Sequence, residues 1–434
     1  MTKKILIAAF AAVLVLPSFA PANGFNLNGL GSRAQGMGGA YVSLANDFTA
    51  VFWNPAGAAG FRQKTFGFFV NDLIPTNTYT FSPEISIPEV PDIDAKTKTS
   101  HYLGMLAGFY MPVSSKVVLG LGVGTPSLYG TKWTGDDFTG LAGGASYIWM
   151  SKVAVLSLSP MVAVKLSEAV SVGAAINFNH GVFNLKKPAG TSVAPPQIDA
   201  PLAAGLADLG QYEETMNGWS FGATLGLLVK PIEDLSVGLT VRTPSTMSFN
   251  GSALLSYASL YGIPDTSDLV RDMPWPLWIA GGVSFRPFER LLLSADVHWT
   301  QWSKLDELTT DYLDPVWADL AEVDGRDVLV LNWQDTTQIR FGLEYTLNPT
   351  TALRAGYYHD PAPGPESTLN VLLPTHTFEA FSVGVGKTVG DLQLDFGLEY
   401  MAGNTRTALD TPDSMPGTYG AKMVVPTVSV AYKF

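Results

Sequence analysis

Apolar and polar residues alternate with a period of two along most of the chain beyond residue 62. In Leu392-Gln-Leu394-Asp-Phe396-Gly-Leu398-Glu-Tyr400 one face is wholly apolar, and the other carries Gln393, Asp395, Gly397 and Glu399. Ile339 to Tyr345 repeats the pattern with Arg340 and Glu344 on the second face. Leu291 to Thr300 and Val170 to Asn179 do so again. This is strand periodicity, and a slip of one residue would turn every apolar side chain to the wrong face. Fourteen such segments are predicted, at 62–82, 100–112, 116–133, 145–167, 169–187, 216–232, 235–252, 273–288, 291–311, 334–348, 350–360, 376–389, 391–407 and 420–434.

The connections alternate in length. Short ones (113–116, 167–168, 232–234, 288–290, 348–350, 389–391) are interleaved with long ones near 83–99, 134–144, 188–215, 253–272, 312–333, 361–375 and 408–419. Tight turns on one rim and long loops on the other is the layout of a bacterial outer-membrane barrel. The expected fold class is therefore all-β, a transmembrane antiparallel β-barrel of about 14 strands. A large soluble sandwich or propeller is the competing reading, but no fixed blade repeat is present. The C-terminal run Val428-Ser-Val430-Ala-Tyr432-Lys-Phe434 alternates to the last residue and resembles the terminal strand that barrel-assembly machinery recognises. Trp299, Trp302, Tyr400 and Tyr432 lie near strand ends, where interfacial aromatic girdles are expected.

Composition agrees. Charged residues make up 15% of the chain, against a usual share of about 25%, and the mean hydropathy is +0.18. Beyond residue 22 no apolar run reaches the 18 or so residues that suggest a spanning helix. Residues 1–22 read as a secretory signal peptide: Lys3 and Lys4, an apolar stretch from Ile5 to Leu16, then Ala20-Pro-Ala22 as the cleavage site. A membrane anchor is the alternative. Its removal takes two lysines and no acid, so 24 basic and 38 acidic side chains remain, a net of −14. That balance argues against nucleic acid as a partner. The absence of cysteine excludes disulfides and thiolate metal sites. The five histidines are scattered without ligand spacing and no Gly-x-Ser-x-Gly elbow occurs, so neither an enzyme nor a metal or other cofactor is expected. Arg242, Arg340, Arg354 and Lys387 are expected to face the lumen and pair with Glu344, Asp395 and Glu399, and His298 to sit beside Asp296.

Two regions break the alternation. Residues 23–61 are Gly-rich, with Gly36, Gly38 and Gly39 allowing close backbone packing, and run to Trp53-Asn54-Pro55-Ala56. A barrel of this width cannot be filled by its own side chains, so this segment is the expected plug. The predicted organisation is thus 1–22 signal peptide, 23–61 plug and 62–434 barrel. The third strand carries Gly122, Gly124 and Pro126. Proline cannot donate to the ladder and interior glycine often marks a bulge, so a kink is expected there. It would be either a lateral gap in the wall or only a bend at the rim.

Asn23-Gly-Phe25 through Asn54-Pro55-Ala56 resembles the N-terminal hatch of the FadL/TodX family of outer-membrane transporters for fatty acids and other hydrophobic compounds. The resemblance continues through Trp302-Ser303, Asp360-Pro-Ala-Pro363 and the closing Tyr432-Lys-Phe434, over essentially the whole mature chain. It implies passive uptake by a monomer in the bacterial outer membrane, among lipid and lipopolysaccharide. It also implies a hydrophobic ligand pocket around Phe25 and Leu27, and a third strand kinked to form a lateral opening. There Asn54, Pro55 and Ala56 would lie against Gly122–Pro126. A capture groove is implied between two loops, for which Leu202, Leu206 and Leu209, and Leu254, Ala258 and Tyr261, offer apolar stripes on short helices; the stripes could equally only pack the loops together. Lys186 and Lys187 are candidate carboxylate contacts or solvated loop bases. Gln334 stands where a family lysine is expected, which leaves neutral hydrocarbons and aromatics open beside fatty acids. A general diffusion porin and a surface adhesin or structural barrel are the alternatives.

Overall fold

The computed structural model describes residues 24–82, 92–142, 144–189, 209–324 and 327–434; the expected signal peptide, 1–22, lies outside them. Fourteen antiparallel strands close on themselves: β1 Thr65–Phe81, β2 Tyr102–Pro112, β3 Val117–Lys132, β4 Met150–Lys165, β5 Val170–Pro188, β6 Gln211–Ile232, β7 Leu235–Arg242 continued by Ser245–Leu255, β8 Thr266–Trp275 continued by Trp278–Phe288, β9 Leu291–Thr300, β10 Thr336–Asn348, β11 Thr351–Asp360, β12 Phe378–Val389, β13 Leu392–Gly403 and β14 Gly417–Lys433. Each pairs with its sequence neighbour, and β1 closes on β14 from Thr65↔Lys433 to Thr80↔Thr418. Apart from a local break between β2 and β3, closure leaves no edge, so backbone groups at membrane depth are satisfied by the ladder.

The alternation sets the two faces. On β13 Phe396, Leu398 and Tyr400 are exposed, while Asp395 and Glu399 are buried inside the cylinder. The outer face is a hydrocarbon-compatible band, and ionisable groups stay off the lipid. Inside, several are paired: Arg354 Nε lies 2.7 Å from Glu344 and its Nη1 2.6 Å from Asp395. His298 lies 3.3 Å from Asp296, as expected. Lys387 does not join this network. It shares the outward parity of Val383 and Val385 near the turn rim and donates to Thr350 and Thr351 hydroxyls, because residues 381–389 are one residue out of the expected phase.

Residues 24–64 fill the bore. Their helical pieces are α1 Ser32–Gly36, α2 Ala50–Trp53 and the 3-10 turn η1 Pro55–Gly60. Polar ties hold them to the wall. Arg33 pairs with Glu344 at 2.8 Å, the amides of Tyr41 and Val42 donate to Asp296 at 2.7 and 2.8 Å, and Arg340 donates to the carbonyls of Asn28 and Gly38. At Gly38, where φ is +63°, the plug backbone comes so close to β11 that a Cβ added at Gly356 would lie 2.0 Å from the Gly38 nitrogen.

Several boundaries differ from the periodicity. β5 runs on to Pro188 and β6 begins at Gln211, and β7 extends to Leu255 with β8 starting at Thr266, so the strands stand taller than expected above the long-loop rim. β9 stops at Thr300 rather than 311, because Trp302 turns inward and is buried against the plug instead of joining an interfacial girdle. The loop after it carries a helix, Pro315–Asp324.

Candidate functional site

The plug and the third strand meet where the ladder fails. β3 pairs with β2 from Val118 to Gly124 and, among the described residues, with no β2 residue beyond. Its register with β4 shifts between Gly124 and Ser127. Pro126 has no N–H, and Thr125 turns its hydroxyl to the Met105 amide at 2.8 Å, which closes the end of the ladder. Above the break the edge is taken by the plug. The Leu27 amide donates to the Pro126 carbonyl at 2.9 Å, and the Leu128 amide to the Phe25 carbonyl at 3.1 Å, so that Asn26 faces Ser127. On this edge of β3, pairing with a chain segment other than the plug resumes only at Thr97↔Trp133, while the opposite edge stays paired with β4. At about 3.3 Å per residue, Pro126 to Thr131 is roughly 20 Å of strand without a β2 partner among the described residues, and Pro126 and Leu128 within it bond to the plug instead.

Two cavities flank this junction. The upper one, on the loop side, encloses about 110 Å³ and is bordered by Phe25, Leu27, Leu73, Leu128, Tyr129 and Leu373, with Asp360, Glu399 and His376 as its ionisable groups. Phe25 is wedged among Tyr129, Trp302 and Trp333, with ring centroids 5.6, 6.2 and 4.9 Å away. Burial pushes the His376 imidazole down to about 4; the Asn404 carbonyl opposes the shift and Arg406 adds to it, so the ring is neutral at physiological pH. The lower cavity, about 100 Å³, is bordered by Val51, Phe52, Gly122, Gly124, Pro126 and Arg242. Asn26 borders both. Its Oδ1 accepts from Ser127 Oγ at 3.0 Å and from Trp275 Nε1 at 3.3 Å, a polar latch across the bore. Each cavity is smaller than the ~150 Å³ void that accommodates benzene, so a larger guest must displace part of the plug. On the turn side a wider vestibule of about 730 Å³ opens around Phe48, Arg62 and Lys230.

Phe25 and Leu27 thus line one cavity, and Gly122, Gly124 and Pro126 the other. Asn54, Pro55 and Ala56 do not lie against Gly122–Pro126. Asn54 Nδ2 donates to the carbonyls of Val42 and Leu227 at 2.9 and 3.0 Å, and its Oδ1 accepts from the Ala56 amide at 3.1 Å. A Cβ on Gly226 of β6 would sit 2.2 Å from Asn54 Oδ1, and one on Gly173 of β5 2.4 Å from the Pro55 carbonyl carbon. The motif therefore docks the plug on β5 and β6, and Val51, one turn earlier, is what meets Gly122.

Leu202 and Leu206 lie outside the described residues. Leu254 is not on a helix: it stays in the ladder opposite Thr266 and points outward, because strand pairing continues past the expected end of β7. Only Ala258–Tyr261 forms a turn, a single 3-10 one, with Ala258 buried and Tyr261 exposed. The two loops do touch at their bases, where the Tyr257 amide donates to the Leu209 carbonyl at 3.0 Å. Lys186 pairs with Glu213 at 2.6 Å, and Lys187 lies over the Tyr212 ring at 5.8 Å; neither borders the upper or the lower cavity. The Asn26–Ser127–Trp275 latch carried no periodic signal, since the plug has no repeating pattern.

The chain matches a family model described as outer membrane protein transport protein (OMPP1/FadL/TodX) over residues 13–434. It is 22% identical to the long-chain fatty acid transport protein of an Escherichia coli strain, covering 91% of this chain and 90% of that one. The structure of a Pseudomonas aeruginosa FadL homologue superposes with a TM-score of 0.74 at 16% identity, over 95% of this chain and all of that one. The Pseudomonas putida toluene transporter TodX does so with 0.71 at 17%, again over 95% and 100%. A closed fourteen-strand wall, a plugged bore and a match across nearly the full length leave one assignment: this chain belongs to the FadL/TodX family of transport proteins of the bacterial outer membrane.

Proposed function

We propose that this protein conducts hydrophobic molecules passively through the bore and releases them sideways beside β3. The reading rests on one observation: β3 leaves β2 at Thr125 and bonds instead to Phe25–Leu27 of the plug. Withdrawal of that short segment would join the two cavities and open the wall between β2 and β3. Sideways release suits an apolar guest. Exposing it to the aqueous periplasm costs about 0.8 kcal/mol per CH₂, several kcal/mol for a chain, whereas the hydrocarbon layer imposes little of that cost. Capture at the loop rim falls to the segments whose bases meet at Leu209 and Tyr257, near the exposed Leu260 and Tyr261. Fatty acids and aromatic hydrocarbons, the cargo named for relatives of this chain, both suit an upper cavity walled by Phe25, Leu27 and Tyr129. The protein works as a monomer among lipid and lipopolysaccharide, and its closing strand, ending at Phe434, is the segment offered to barrel-assembly machinery.

The test is uptake into vesicles carrying the purified protein, comparing labelled dodecanoate, dodecane and toluene with a hydrophilic sugar of similar size. Hydrophobic probes should cross faster than in empty vesicles and the sugar should not. Equal acceleration of the sugar would identify an open aqueous pore and overturn the reading.

A further inference from the structure

The lower cavity holds a cation without a counter-charge. Arg242 ends the first half of β7, and its guanidinium lies 4.1 Å from the centroid of the Phe52 ring and 4.1 Å from that of Trp278. One N–H donates to the Phe52 carbonyl. Among the described residues no carboxylate pairs with it, whereas Arg33, Arg271, Arg354 and Arg406 each hold at least one. An arginine carries five N–H donors in a fixed fork, so Arg242 has donors to spare, and it borders the cavity. The ring contacts pin that fork, and a pinned, weakly hydrated guanidinium is the group best matched to a planar carboxylate. A cation held in a closed bore without a partner is costly to keep charged, so an arriving anion would be strongly favoured.

The surroundings sharpen the contrast. β7 and β8 lose their pairing beside this arginine, at Thr243-Pro244 opposite Pro276-Leu277, where two prolines withhold their donors and leave room. The upper cavity has the opposite character: Asp360 and Glu399 border it, and no lysine or arginine does among its described lining residues. Carboxyl side chains thus border the cavity above the Asn26 latch, and a guanidinium borders the one below it.

We propose that Arg242 is a carboxylate-holding station in the lower cavity, the residue that orients those cargo molecules whose apolar chain or ring bears a carboxylate. This rests on the reading of the bore as a conduit for hydrophobic molecules. The head group docks on Arg242 while the apolar part lies toward Val51 and the β3 break, which aims the tail at the opening.

The experiment measures equilibrium binding of dodecanoate and dodecanol, which share a chain and differ in the head group, to the full-length protein in lipid nanodiscs. Empty nanodiscs serve as the blank, and the pH is held near ~8 so that the acid is ionised. Arg242→Gln should weaken dodecanoate by about tenfold to a hundredfold, the range for losing a charge-assisted pair, and leave dodecanol within about threefold. Arg242→Lys, which keeps the charge and loses the fork, should fall between. Unchanged dodecanoate binding in Arg242→Gln overturns the station, and so does an equal loss for both probes, which would mark Arg242 as a structural clamp on Phe52. Binding of dodecanol but not dodecanoate to the unaltered protein sinks the station alone. Binding of neither sinks the conduit reading with it.

Discussion

Replacing Asn54 with alanine removes the one side chain that ties the Asn-Pro-Ala turn to the wall. Asn54 is fully buried and makes three hydrogen bonds, donating to Val42 and Leu227 carbonyls and accepting from the Ala56 amide. Each buried group left without a partner costs at least ~1 kcal/mol, so the docked plug should lose about 3 kcal/mol relative to an undocked one. At 1.4 kcal/mol per tenfold, that is a shift of roughly a hundredfold in the docking equilibrium. No barrel strand is altered, so the circular dichroism of the sheet should be unchanged. Hydrogen exchange read by mass spectrometry isolates the effect: the amides of Phe52, Trp53 and Asn54, which bond to Thr49 and Ala50 carbonyls inside the plug, should exchange roughly a hundredfold faster. Exchange within twofold of the unaltered protein would show that the turn does not anchor the plug. The whole description of how it sits on Gly173 and Gly226 would then be wrong.

Two further outcomes follow from the same geometry. Burial holds the His376 ring neutral with a pKa of about 4, against an ordinary value near 6.5, and its Nε2 has no partner among the described residues. A depressed folded-state value means that the stabilisation is complete above pH ~6.5 and is lost as the pH falls toward ~4, up to about 3 kcal/mol in all. Protection of the Thr377 amide, which donates to Asn404 Oδ1 at 2.9 Å, should fall over that range once intrinsic exchange is corrected for, and His376→Phe should abolish the trend; protection flat from pH 7 to 4 would contradict it. Phe25→Ala empties the aromatic wedge among Tyr129, Trp302 and Trp333. A loss of about 3–5 kcal/mol in the docking of residues 24–30 is expected for a buried ring, seen as faster exchange at Leu27 and faster transit of toluene; slower transit would mean that Phe25 guides rather than blocks.

How far the sequence could be read depended on which physical pattern each region carries. Where one side of a strand meets lipid and the other meets the bore, as on Leu392–Tyr400, a period of two is enforced and the strand is visible. Near the loop rim that constraint relaxes. Residues 211–215 pair fully with β5, yet Gln211 and Tyr212 bond to loop residues Ile148 and Tyr312, and Glu213 and Glu214 pair with Lys186 and Arg271, so the polar-apolar alternation that would have revealed them is blurred. Trp302 looked like an interfacial aromatic by position, but only the fold places Phe25 and Trp333 beside it. The kink was legible because proline and glycine act locally, at Gly122, Gly124 and Pro126. Its inner partner was not, since Phe25–Leu27 meets β3 through a single β-bridge at Asn26 and has no periodicity of its own. The docking of Asn54-Pro55-Ala56 was misplaced for a related reason. Glycines that admit it, Gly173 and Gly226, are two among many inward glycines, and nothing in a linear reading singles them out. Arg242 was legible as facing the lumen, but its lack of a carboxylate emerges only from three dimensions.

The account turns on whether Phe25–Leu27 must leave the β3 edge for cargo to pass. Asn26 and Ser127 face each other across a narrow antiparallel bridge flanked by the two hydrogen bonds, a separation of roughly 4.5 Å between Cα atoms that a disulfide can span. The chain has no cysteine of its own, so Asn26→Cys with Ser127→Cys introduces a single lock. Dodecane uptake into vesicles should fall to the level of empty vesicles when the pair is oxidised and recover on adding reductant. Uptake that is the same in both redox states would show that cargo travels by another route.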